Sequence, residues 1–80
     1  MREVVKDYST VRVGSLVRVR DRDGEEEYTI VGGEEADAVS RRISIESPLA
    51  MALLGHAVGE QVKVRAPGGL RAVRIVRVGY

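Results

Sequence analysis

Over most of the chain, apolar and polar residues alternate with a period of two, which is the pattern of half-buried β-strands. The segment LVRVRD (16–21) alternates valine with arginine. DRDG (21–24) is a turn sequence whose glycine can adopt a positive φ. EEEYTIV (25–31) then ends in residues that favour strands. The pattern predicts a β-hairpin over residues 16–31.

Further strands follow after a polar loop that two glycines open, GGEEADAVSR (32–41). RISIES (42–47) alternates isoleucine with polar residues and predicts a short strand. VKVRA (62–66) and LRAVRIVRV (70–78) alternate in the same way. PGG (67–69) between them is a turn sequence, so these two segments predict a second hairpin.

One short helix is predicted within SPLAMALLG (47–55). Ser47 can cap its N-terminus, Pro48 suits the first helical position, and the final glycine can end it. Six apolar residues fill about two turns, and so short a helix is not stable alone. Leu53 and Leu54 are adjacent and cannot share one face, so we expect one in the core and the other closer to the surface.

The first twelve residues fit the alternation less well. Val4, Val5, Tyr8 and Val11 follow a helical spacing that polar residues interrupt. We predict that residues 1–12 are a linker or the stub of a preceding helix and that residues 13–80 form one domain. About five strands and one short helix predict a small α+β domain with an antiparallel sheet.

Composition excludes several classes of function. The 80 residues contain no cysteine and one histidine, His56, so neither a disulfide framework nor a conventional zinc site is expected. His56 follows a helix-ending glycine, where its charge would meet the helix dipole favourably, and no nucleophile motif accompanies it. The N-terminus is too polar for a signal peptide, and no apolar run approaches about 18 residues. We expect a cytoplasmic protein without membrane contact.

Two charged patterns leave alternatives open. Glu35 and Asp37 in the polar loop could hold magnesium, but such sites usually need more oxygen ligands. We favour a loop in which these carboxylates accept backbone N–H groups or pair with Arg41 or Arg42. The strand residues Arg18, Arg20, Lys63 and Arg65 could form one basic sheet face that binds nucleic acid. Against this, the three aromatic residues are all tyrosines, and neighbouring glutamates at 25–27 could pair with the arginines across the strands.

The order of the motifs is similar to that of a known family. VRVGSLVRV, YTIVGGEEAD, ISIESPLAMALLG and VGEQVKVRAPGG, followed by a terminal tyrosine, resemble the C-terminal domain of the bacterial Gre transcription elongation factors over roughly residues 11–80. The resemblance implies an FKBP-like fold. Prolyl isomerase activity is not expected from that fold, because the chain has no Phe or Trp to line the pocket it needs.

The resemblance also implies a partner. In Gre factors this domain docks on RNA polymerase at the rim of the secondary channel, on a coiled coil of the β′ subunit. The matching strand-to-helix corner supplies the candidate partner-binding residues, which are Glu46, Ser47, Pro48, Leu49 and Met51. Direct contact with nucleic acid through the basic sheet face is the alternative function.

The resemblance does not extend to catalysis. Gre factors carry an N-terminal helical hairpin whose acidic tip supports magnesium-dependent RNA cleavage, and residues 1–12 could supply at most the end of one helix. We therefore expect no enzyme activity, catalytic residue, cofactor or metal. Whether a longer protein contains this domain, and whether its effect on transcription is activating or inhibitory, stays open.

Overall fold

The computed structural model describes residues 10–37 and 39–79, and it consists of five strands and one α-helix with a short 3-10 turn. Both predicted hairpins and the predicted helix are confirmed. The elements are β1 (Leu16–Asp21), β2 (Gly24–Val31), a 3-10 turn (Gly33–Glu35), β3 (Arg42–Ser44), α1 (Pro48–Leu53), β4 (Gln61–Ala66) and β5 (Gly69–Gly79).

The strands form one sheet in the order β3-β2-β1-β5-β4. Three pairings are antiparallel, as the sequence predicted. The expectation of a purely antiparallel sheet is wrong at the edge, where β3 pairs parallel to β2 and Ile43 lies beside Ile30. The loop of residues 32–41 is long enough to carry the chain back to the level of Thr29 before β3 begins. Alternation predicts a strand, but it does not fix the direction of the strand.

One face of the sheet carries the core. Its fully buried side chains alternate along the strands, as the period of two predicts. They come from β1, β2, β4 and β5, and α1 adds Ala50 and Leu53. Leu53 is fully buried while Leu54 is half-buried, so the expected division between these leucines is confirmed.

Residues 10 and 11 contact the segment that follows α1. Val11 is buried in the core, its N–H donates to the His56 carbonyl at 2.8 Å, and its carbonyl accepts from the Gly55 N–H at 2.9 Å. These bonds tie the start of the described chain to the end of α1. Residues 1–9 of the predicted linker lie outside the described residues, so the boundary between linker and domain stays a prediction.

The helix begins and ends where its sequence signals lie. The Ser47 hydroxyl accepts from the Ala50 N–H at 3.2 Å, Pro48 occupies the first turn, and Gly55 has a φ of +86° just beyond the helix. Without this cap, the Ala50 N–H in the first turn would have no hydrogen-bond partner within the helix. The cap therefore sets the point at which the chain turns from β3 into α1.

We expect Ser47→Ala to lower the thermal midpoint of unfolding by several degrees. Loss of an N-cap lowers the free energy of unfolding by about 1 kcal/mol. A loss of that size lowers the thermal midpoint of a domain this small by about 4–8 °C. Thermal unfolding followed by circular dichroism measures the effect. Ser40→Ala is the matched control, since its hydroxyl donates to the Asp37 carboxylate in an exposed loop and caps no helix. Equal midpoints for the two variants would show that the cap does not contribute.

Candidate partner-binding corner

The candidate site is the corner at which β3 turns into α1. The Ser44 hydroxyl accepts from the Glu46 N–H, and the Ser44 carbonyl accepts from the Ser47 N–H, both at 2.9 Å. The Ile45 N–H donates to the Val31 carbonyl of β2, also at 2.9 Å. Three successive residues are thus bonded through their backbone, so the corner is held rigidly against the sheet.

The five candidate residues differ in what they present to a partner. Glu46 and Pro48 are exposed, and Met51 leaves 59% of its surface exposed. Pro48 and Met51 are three residues apart and share one helix face. Ser47 is half-buried by its capping role, and Leu49 is half-buried against the core. The apolar surface available at the corner therefore centres on Pro48 and Met51.

A cleft with acidic walls lies beside the corner. A Cβ at Gly33 would lie 3.6 Å from the Ser44 hydroxyl and 3.8 Å from Oε2 of Glu46, so the Glu46 side chain lies over the 3-10 turn. The cleft is lined by Gly32, Gly33, Glu34, Glu35, Ser44, Glu46 and Ser47. The corner thus combines an exposed apolar helix face with three carboxylates.

Sequence reasoning missed the part of this cleft that the loop provides. Glu34 and Glu35 were recognised as family-like residues but not as neighbours of Glu46. They meet it only because β3 pairs parallel to β2, which brings the 3-10 turn beside the start of α1. The two glycines at 32 and 33 gave no signal of this contact, because a Cβ would fit at both: the nearest atom to one at Gly33 would be 3.6 Å away, and none would lie within 4 Å of one at Gly32.

The other chemical candidates have local structural roles. The Asp37 carboxylate accepts from the Val39 N–H at 3.1 Å and the Ser40 hydroxyl at 3.0 Å, as the loop interpretation predicted. His56 Nδ1 lies 2.7 Å from Glu60 Oε1, and this contact lowers the pKa of Glu60. No group of three metal-ligating side chains occurs within residues 10–37 and 39–79.

On the sheet face opposite the core, the predicted pairing of charges is present on β1 and β2. Arg18 Nη1 donates to Glu25 Oε1 at 3.2 Å, and its Nη2 lies 3.4 Å from Glu27 Oε2. Arg20 Nε donates to Glu25 Oε2 at 2.9 Å. The hydrogen bonds from Arg20 and then Arg18 hold the pKa of Glu25 below its ordinary value. These four side chains neutralise one another.

The architecture is that of a small α+β, FKBP-like domain. Comparison with known proteins identifies the family to which it belongs. The family model described as "Transcription elongation factor, GreA/GreB, C-term" matches residues 6–80. Transcription elongation factor GreA of Chelativorans sp. (strain BNC1) is 52% identical over 73 residues, which are 89% of this chain and 46% of that protein.

Solved structures agree. Thermus aquaticus Gfh1 superimposes with a TM-score of 0.82 at 29% identity, over 89% of this chain and 48% of that one. The GreA/GreB factor from Nitrosomonas europaea superimposes with a TM-score of 0.78 at 36% identity, over 94% of this chain and 64% of that one.

The chain belongs to the GreA/GreB family of transcription elongation factors and corresponds to its C-terminal domain. It spans about half the length of the curated relatives it matches. In the described part, no helix is long and apolar enough to cross a membrane.

Proposed function

We propose that this chain is a non-catalytic RNA polymerase-binding module of a Gre-like elongation factor. It docks at the rim of the secondary channel, on the β′ coiled coil, through Glu46, Ser47, Pro48, Leu49 and Met51. The observation that carries the proposal is the rigid corner, where the apolar face of Pro48 and Met51 stands free of the core. Family membership supports a role in transcription elongation.

The charge of the corner defines the partner surface it fits. An interface of this kind has an apolar centre and a polar rim. Here Met51 and Pro48 supply the centre, and the carboxylates of Glu34, Glu35 and Glu46 supply an acidic rim. The complementary surface is an apolar patch flanked by lysines or arginines. Rim charges of this sort act mainly on the association rate, which should fall as salt is added. The affinity comes mostly from the apolar centre, so the dissociation constant should depend only moderately on salt.

We expect the isolated chain to bind RNA polymerase and displace a full-length Gre factor without stimulating transcript cleavage. The corner and its cleft contribute binding surfaces, and a domain that docks at the rim of the channel would not bring its carboxylates to the metal of the polymerase active centre. The measurement is a cleavage assay on backtracked complexes with increasing chain, alongside competition with a labelled full-length factor. Shortened transcripts that depend on this chain would contradict the non-catalytic assignment, and failure to compete would contradict the docking assignment.

A further inference from the structure

The sheet face opposite the core, called here the outer face, is divided into two electrically different halves. Residues paired across antiparallel strands point to the same side, so the register defines this face. On β1 and β2 it carries the mutually neutralised Arg18, Arg20, Glu25 and Glu27. On β4 and β5 it carries four cations, all exposed, which are called the cationic strip: Lys63, Arg65, Arg74 and Arg77.

Within residues 10–37 and 39–79, no carboxylate balances the cationic strip. Among the described residues, none of its four side chains forms an ion pair, and Arg74 Nη1 donates to the Gly59 carbonyl at 2.8 Å. The cations on this face are paired with or flanked by Gln61, Ala72 and Leu70. The strip therefore has a charge of +4 from its four cations, although the whole chain has a formal charge of only +1.

A β-bulge assembles this strip. The arginines of β5 recur every third residue, at 71, 74 and 77, and strict alternation would place Arg74 on the face opposite Arg77. The register shift opposite Arg18 and Val19 pairs Arg77 with Arg18 and Arg74 with Arg20, so both arginines reach the outer face. Arg71 points to the core side and binds Asp21 instead. Bulges of this kind commonly re-aim a side chain.

We propose that the cationic strip binds the phosphate backbone of double-stranded nucleic acid without reading its base sequence. The strip has no aromatic side chain on which single-stranded bases could stack. Its apolar area is small for a protein interface, because a single exposed leucine, Leu70 opposite Arg65, lies at one end of it. Phosphates need only the rows of cations that the strip provides. The strip lies on the outer face of the sheet, whereas α1 and the docking corner pack on the core face. The inference therefore does not depend on the docking proposal.

The salt dependence of binding tests the assignment. Four phosphate contacts on a duplex give a slope of about −3.6 in log K against log salt, so affinity should fall about 150-fold between about 50 and 200 mM salt. Arg65→Glu should reduce the slope by at least about 0.9. The measurement is fluorescence anisotropy with two labelled DNA duplexes of about 20 base pairs that differ in sequence, and equal affinity for both is expected.

Arg42→Glu is the matched control, because Arg42 lies on the same face at the opposite edge and changes the charge equally. Four strand spacings, about 19 Å, separate the two edges, which exceeds the screening length of about 10 Å at 0.1 M salt. Normal binding by Arg42→Glu with weakened binding by Arg65→Glu supports the strip. Equal losses in both variants, absence of duplex binding at low salt, or equal affinity for a polyglutamate peptide of matched charge would overturn it.

Discussion

Met51→Asp is expected to weaken binding to RNA polymerase about thirtyfold or more while leaving the domain folded. Met51 is 59% exposed and lies outside the core cluster, so its replacement removes no core contact. In the proposed complex the new carboxylate would be buried without a partner in the apolar centre of the interface. Anchors at such centres cost about 2 kcal/mol or more when lost, which corresponds to roughly thirtyfold in affinity.

Leu70→Asp is the control for this experiment. Leu70 is 66% exposed on the β4–β5 hairpin, and its replacement introduces the same charge at a comparably exposed apolar position. Affinity for core polymerase without nucleic acid, and thermal unfolding, should be measured on both variants. If Leu70→Asp weakens binding as much as Met51→Asp, charge alone explains the effect. If Met51→Asp binds normally, the corner is not the interface.

The structure changes which corner residue should be tested. From the sequence, Leu49 was a candidate contact with no indication of its orientation. It is half-buried against the core, so an aspartate there would reduce stability as well as any contact with a partner. Leu49→Asp cannot separate folding from binding, whereas Met51→Asp can.

Local signals were sufficient to predict most of the fold. The hairpins followed from alternation and turn residues, and the Asp21 carboxylate does accept from the Asp23 N–H in the predicted turn. The helix followed from its cap and its terminal glycine. These features depend on contacts between residues close in sequence, so the local sequence is enough to predict them.

The features that sequence could not supply all depend on register or strand direction. The parallel β2–β3 pairing brings Glu34 and Glu35 beside Glu46, and the bulge in β5 brings Arg77 beside Arg18. A shift of one residue moves every side chain to the other face. Alternation alone therefore placed Arg18 and Arg20 beside Lys63 and Arg65 in one basic face, without dividing it into neutral and cationic halves.

Leu53→Ala is expected to lower the thermal midpoint by about 10 °C or more. Leu53 is fully buried, and truncation of a buried leucine costs about 2–5 kcal/mol through lost contacts and the cavity left behind. A domain of this length has a total stability of about 4–12 kcal/mol, so this loss is a large share of it. Thermal and urea unfolding of the variant measure the change.

The adjacent Leu54→Ala is the control, because Leu54 is only half-buried and should cost much less. Equal losses at the two positions would mean that the helix packs in a different orientation. At a temperature where Leu53→Ala is still folded, its affinity for polymerase should match that of the unmodified chain, since Leu53 contacts the core alone. The opposite pattern is expected of Met51→Asp, which should lose affinity and keep its stability. Together the two variants test why this six-residue helix is apolar on both sides. One side packs in the core, and in the proposed complex the other side contacts the polymerase.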